Sequence, residues 1–154
     1  NTDYLNQVVE EQLVPFVDFR RITRLVMDKY FKSATTEQRN LFLETFRQSL
    51  VNTYASGLGK YDGRQRIDVL PTEIGDVKGR RAKVRVLLIT SDGKEYPLVY
   101  SMYQNKSGDW KMENLVINGI NLGKTFRTQF DQLMKQYQDV DIVIAQWKGG
   151  LDTP

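Results

Sequence analysis

The chain has no cysteine and no histidine in 154 residues. Without cysteine there is no disulfide, no thiol nucleophile and no thiolate metal site. Without histidine, Ser-His-Asp chemistry and imidazole ligation are excluded as well. The missing thiols suit an oxidising compartment, where a stray cysteine is a liability. No apolar run approaches the ~20 residues of a membrane-spanning helix. Charge of one sign is also lacking: 22 Lys and Arg against 19 Asp and Glu leave a net charge of +3. Bases and acids are interleaved, so the profile falls short of a dedicated nucleic-acid binder. No glycine-rich loop follows a strand and opens a helix, which argues against a nucleotide-phosphate cradle. The N-terminus, Asn1-Thr2-Asp3, lies within what already reads as helix, and a leader peptide is expected to have been removed.

What is present is a sizeable apolar fraction, 40% of the residues, with 27% charged. That balance describes one globular domain, taken as residues 1–150, followed by a flexible tail over 151–154. The most informative stretch is 34–61. Phe42, Phe46, Leu50 and Tyr54 recur every four residues, and Leu43 and Leu58 widen the stripe. Thr35 and Gln38 fit a capping box at its start, and Gly57 and Gly59 weaken its end. Before it, a first helix is expected from Thr2 or Asp3 to Pro15. A second follows Asp18, burying Phe19, Ile22, Leu25, Val26 and Phe31 and turning Arg20, Arg21, Arg24 and Asp28 to solvent.

From Gln65 the period changes to two. Four strands are expected, over 66–70, 81–91, 95–105 and 110–118, with a polar loop at 72–79 and tight turns at Asp92-Gly93 and Ser107-Gly108. Gly119 reads as a stop. A further helix over 122–137 presents Leu122, Phe126, Phe130, Leu133, Met134 and Tyr137, and a short one covers 140–147. Helices flanking an antiparallel meander make an α+β fold: N-terminal and C-terminal helices on a curved four-stranded sheet.

The strands carry two apolar sets. Val84, Val86 and Leu88 share one face with Leu98, Tyr100 and Met102, which is either ordinary core or the wall of a cavity. The opposite face also carries Leu87, Ile89, Val99 and Tyr103, so both faces are expected to be covered. Acids suited to base catalysis are few: Glu113 and, more distantly, Asp68.

Four blocks then resemble one family. They are Pro15-Phe16-Val17-Asp18-Phe19; residues 35–61 with Glu37-Gln38-Arg39, Phe46-Arg47 and Thr53-Tyr54-Ala55; Gly108-Asp109-Trp110-Lys111 with Ile117-Asn118-Gly119-Ile120; and Phe126-Arg127-Thr128-Gln129-Phe130. In this order they resemble the MlaC proteins, the toluene-tolerance auxiliary family of periplasmic phospholipid carriers in Gram-negative bacteria. The resemblance implies an NTF2-like cone around an apolar cavity and a carrier that maintains outer-membrane lipid asymmetry. The implied partners are phospholipid cargo, an outer-membrane lipoprotein complex and an inner-membrane ABC transporter complex with an MCE-type subunit. It implies a monomer, no enzyme activity, no nucleic-acid partner, no metal and no cofactor beyond the bound phospholipid. The cavity wall would then comprise Phe46, Leu50, Tyr54 and Leu58 on the long helix, with Val84, Val86, Leu88, Leu98, Tyr100, Met102 and Met112 on the strands. Phe126 and Phe130 would close it from the later helix, and Arg21 and Arg24 would serve partner docking. The alternative left open is an NTF2-like binding or scaffold domain for another apolar ligand.

Overall fold

The computed structural model describes residues 6–7, 10–11, 14–58, 66–71, 73–74 and 79–150, with the side chains of 54–58 and 73–74 outside that description. The expected caps Thr2 and Asp3 and the tail 151–154 lie outside the described residues, while 6–7 and 10–11 are helical as expected. Pro15 sits in a single 3-10 turn, Val14–Phe16.

Helix α1, Phe19–Met27, starts at Asp18, whose carboxylate accepts from the Arg21 N–H at 3.0 Å. Its buried face is Phe19, Ile22, Thr23, Val26 and Met27. The expected Leu25 is instead 53% exposed. Thr23 takes the inward position because its hydroxyl donates to the Phe19 carbonyl at 2.7 Å, so no polar group is left unpaired. Arg21, expected on the solvent side, is half-buried for reasons given below.

Helix α2, Thr36–Leu58, opens with the expected capping box. The Gln38 N–H donates to the Thr35 hydroxyl at 3.0 Å, and the Thr35 N–H donates to the Gln38 side chain at 2.9 Å. Its 23 residues span about 34 Å. Near its middle, Arg47 clasps both oxygens of Glu10 at 2.6 Å, tying the N-terminal segment to it.

Among the described residues the sheet has six strands rather than four, all antiparallel: β1 Arg66–Val69, β2 Glu73–Ile74, β3 Arg81–Ile89, β4 Glu95–Gln104, β5 Trp110–Ile117 and β6 Ile120–Asn121. The order is β1-β3-β4-β5-β6, with β2 beside β1 on the same edge of β3. The two added strands are two-residue pairings. β2 lies within the segment expected to be a polar loop. β6 forms because Asn118 and Gly119 both take positive φ, 49° and 83°, as a type I′ turn requires, so the chain reverses onto β5 instead of stopping. Between β4 and β5 the register slips at Ser101/Met102, leaving Glu113 as the extra residue of a bulge.

Helix α3, Leu122–Tyr137, is capped by Asn121, and α4, Val140–Gln146, by Asp139. Spacing at four residues brings Phe42 and Phe46 of α2 against Phe126 and Phe130 of α3 and against Trp147. Ring centroids lie 5.0 Å apart for Phe42–Phe130, 5.1 Å for Phe42–Trp147 and 5.3 Å for Phe46–Phe126, in edge-on geometry. Gly149, at φ 59°, lets the chain pass this cluster, since a Cβ there would meet Trp147 Nε1 at 2.9 Å. Helices α1 and α3 lie against β5, so helix-on-sheet packing is heaviest at one side of the sheet.

Candidate functional site

Directly opposed residues of antiparallel strands point to the same side. The register therefore gathers one apolar face: Ile67 and Val69 on β1; Ala82, Val84, Val86 and Leu88 on β3; Leu98, Tyr100 and Met102 on β4; Met112, Leu115 and Ile117 on β5. Its burial is graded. Met112 and Leu115 are buried under α1 and α3. Leu98, Tyr100 and Met102 are partly buried against that core, Val84, Val86 and Leu88 are partly buried, and Ile67 and Val69 are 58% and 68% exposed. The face thus runs from core to solvent without a change in chemistry. Burial pushes the Tyr100 phenol above its ordinary pKa, as an apolar setting should.

At the buried end lies a small apolar cavity of about 50 Å³ between the Val14–Val17 segment, α1, α2, β5 and the start of α3. Leu50, Met112 and Leu122 contribute to its wall. Its outer wall is latched by polar contacts. Val17 bridges Met112, and the Asp18 N–H donates to the Met112 carbonyl at 3.1 Å. The Tyr103 hydroxyl donates to the Asp18 carboxylate, and this hydrogen bond is the main reason the phenol is held above its ordinary pKa. Arg21 lies over the Tyr103 ring at 4.4 Å and pairs with Glu113 at 2.6 Å, and Arg81 takes the other Glu113 oxygen at 2.6 Å. The bulge at Glu113 turns this carboxylate between a helix and a strand.

These positions bear on each expected site residue. Val84, Val86, Leu88, Leu98, Tyr100, Met102 and Met112 share the graded face, and Leu50 lines the cavity. Phe46, Phe126 and Phe130 are 1%, 3% and 0% exposed in the aromatic cluster. Tyr54 and Leu58 continue α2, but their side chains lie outside the described residues. Arg24 is exposed beside the Phe31 ring at 5.6 Å, whereas Arg21 belongs to the latch. Glu113, a candidate base by sequence, is held between two arginines, and Asp68 pairs with Arg66 at 3.3 Å near the surface. Two cations escaped the sequence reading: Lys124 and Arg127, one turn apart on α3, which face the same groove as Arg21 and Arg24. Their three-residue spacing was the available signal. Among the described residues no cluster of three or more acidic groups could hold a metal, and no helix is long and apolar enough to cross a membrane.

The family of MlaC proteins matches residues 1–149. The chain belongs to the MlaC family. A toluene tolerance protein, ttg2D of Pseudomonas putida, is 38% identical over 96% of this chain and 66% of its own length. The intermembrane phospholipid transport system binding protein MlaC of Haemophilus influenzae is 29% identical over 99% of this chain and 71% of its own. The chain thus spans about two thirds of the length of these relatives. Among solved structures, the phospholipid-binding protein of Ralstonia solanacearum in complex with a phospholipid superimposes with a TM-score of 0.84 at 26% identity, over 94% of this chain and 79% of that one. Membership of the MlaC family gives the graded face a context: an apolar surface left partly open in a chain whose helices already have a core of their own.

Proposed function

We propose that this MlaC-family chain is a periplasmic phospholipid carrier whose acyl-chain site is the graded sheet face. Within an NTF2-like domain over residues 1–150, tails lie along β4, β3 and β1 and reach inward toward the small cavity. The observation that carries this reading is the unbroken apolar surface from buried Leu115 to exposed Val69. Each CH₂ withdrawn from water on it contributes roughly 0.8 kcal/mol, and no polar partner is needed. The cavity, at about 50 Å³, lies far below the ~300–1,000 Å³ of ordinary ligand sites. Cargo is therefore seated on the open part of the face, with Leu88, Leu98, Tyr100 and Met102 at its centre. Met102 and Met112, opposed across β4 and β5, add side chains that adapt to varied tails.

Transport follows as equilibrium sequestration by a monomer, with no covalent step. Tails leave an outer-membrane lipoprotein complex, are shielded here, and are released at an inner-membrane MCE-type ABC transporter complex, so that lipid asymmetry is restored. Binding alone sets no direction, which must come from the partners. The head group stays near water because an unpaired buried charge costs several kcal/mol, and Arg21 and Arg24 lie on the side that meets partners. Native mass spectrometry of the purified protein, with lipid extraction, tests the reading. Adducts at phospholipid masses are expected. A bare mass that persists after incubation with phospholipid vesicles would contradict it and favour a binding domain for another apolar ligand.

A further inference from the structure

Two depressions flank α1. One, of about 730 Å³, runs between α1, the β4–β5 bulge and α3 and carries Arg21, Arg24, Arg81, Lys124 and Arg127. The other, of about 550 Å³, lies toward α2 and adds Arg20 and Arg39 to the shared Arg21 and Arg24. Against these seven cations the two linings contain only Asp18 and Glu113. The remainder of the chain then holds 15 cations and 17 acids, so the net positive charge of the whole chain is concentrated here. In the wall of the larger depression, Leu25 is 53% exposed.

We propose that this surface docks an acidic segment of a partner protein, and that the partner's carboxylates compete with Glu113 for Arg21 and Arg81. Three observations favour a protein over a bilayer. The cations line concave grooves on both flanks of α1, a shape that a chain segment fills better than a flat bilayer does. Six of the seven are arginines, whose planar forks suit bidentate carboxylate binding. The exposed Leu25 adds an apolar contact to the larger groove, of the kind protein interfaces use.

The groove also communicates with the cavity. Ile22, Glu113, Asn114 and Gly123 line both, one from each side. The Glu113 side chain is 13% exposed, while those of Arg21 and Arg81 are 39% and 49% exposed, so the arginines present donor edges to an incoming acid. Competition at Arg21 removes one of the contacts that hold α1 to β5. Further contacts fasten the start of α1 to the sheet, among them the Asp18–Met112 backbone bond to β5 and the Tyr103–Asp18 bond to β4. Docking thereby loosens the outer wall of the apolar interior. That consequence rests on the carrier reading; the docking surface itself does not.

The test is an NMR titration of the full chain with a synthetic peptide of alternating Glu and Leu, beside vesicles containing phosphatidylglycerol. Peptide shifts are expected at Arg21, Arg24, Arg81, Lys124 and Arg127, with faster hydrogen exchange of the Asp18 amide. The pair Arg24→Glu and Arg127→Glu leaves both Glu113 ion pairs intact and should weaken peptide binding about tenfold. The milder pair Arg24→Gln and Arg127→Gln should weaken it less, and Lys106→Glu on a distant turn should not. Vesicle binding at these residues without peptide binding would overturn the protein partner. Peptide binding indifferent to both Arg24/Arg127 pairs would overturn the surface, and binding with an unchanged Asp18 amide would overturn the competition with Glu113. Lipid extraction from the untouched protein reads the carrier function separately, so either reading can fail alone.

Discussion

The molecule holds two apolar regions built from different residues for different ends. Between the helices, Phe42, Phe46, Phe126, Phe130 and Trp147 are all at most 7% exposed and meet edge-on. On the strands, mainly aliphatic side chains and methionine, with Tyr100, form a face that runs from buried Met112 and Leu115 through a half-buried middle to exposed Ile67 and Val69. Rings repeated every four residues on α2 and α3 fill a three-dimensional gap between cylinders. Branched residues on a pleated surface make a smooth wall that closes only where something lies on it. Among the described residues, the helices over this wall, α1 and α3, sit at its β5 end. If the sheet face is the acyl-chain site as proposed, stability rests mainly on the rings and binding mainly on the outer strands, and a substitution in one should not imitate a substitution in the other.

The largest effect is expected from Phe42→Ala. It empties the centre of the aromatic cluster and should lower unfolding free energy by about 3–5 kcal/mol, read by chemical denaturation, while protein that remains folded keeps its lipid. Loss of lipid with little loss of stability would collapse the distinction. Next, Leu88→Asp or Met102→Asp should abolish lipid retention at a smaller stability cost than Phe42→Ala, since tails would desolvate a carboxylate on a face that is otherwise partly wet. Extraction and denaturation on the same preparation separate the two quantities. Below these comes Thr35→Ala, which removes half of the α2 capping box; about 1 kcal/mol is expected in thermal or chemical unfolding, without selectivity for cargo.

The smallest effect concerns the rim of the aromatic cluster, where the Tyr30 ring lies 6.0 Å from Phe130 and its hydroxyl donates to Asp131 at 2.7 Å. That hydrogen bond, followed by the one from Lys135, holds the Asp131 carboxyl below the usual carboxylate range. A carboxylate depressed in the folded state adds stability above its unfolded pKa, and that stability is lost as pH falls through the lower folded value. Tyr30→Phe should therefore raise the Asp131 pKa toward ordinary, followed by NMR titration, and leave lipid retention untouched.

Local chemistry was legible in the sequence wherever it was local. The Thr35–Gln38 box, the Asp18 cap and the glycine turns at Gly93 and Gly108 all stand where their residues imply. Asn118-Gly119 carries the signal of a type I′ hairpin, which Gly119 considered alone hides because a glycine after a strand also suits a stop. Leu25 and Thr23 exchanged places because helical period ranks apolarity and ignores a hydroxyl that satisfies itself. Periodicity marked Phe46, Phe126 and Phe130 as inward-facing. It could not say which apolar region they face, since that depends on packing between elements some eighty residues apart. Glu113 gave no sign of its two arginines for the same reason: Arg21 and Arg81 reach it from a different helix and a different strand.

The most direct measurement is methyl NMR of the protein loaded with a phospholipid spin-labelled in its acyl chain. The expected result is strong broadening at Val84, Val86, Leu88, Leu98 and Met102, with Val26 and Val143 in the helical core unaffected. Broadening confined to Val26 and Val143, or spread evenly over every methyl, would contradict the assignment of the sheet face as the acyl-chain site.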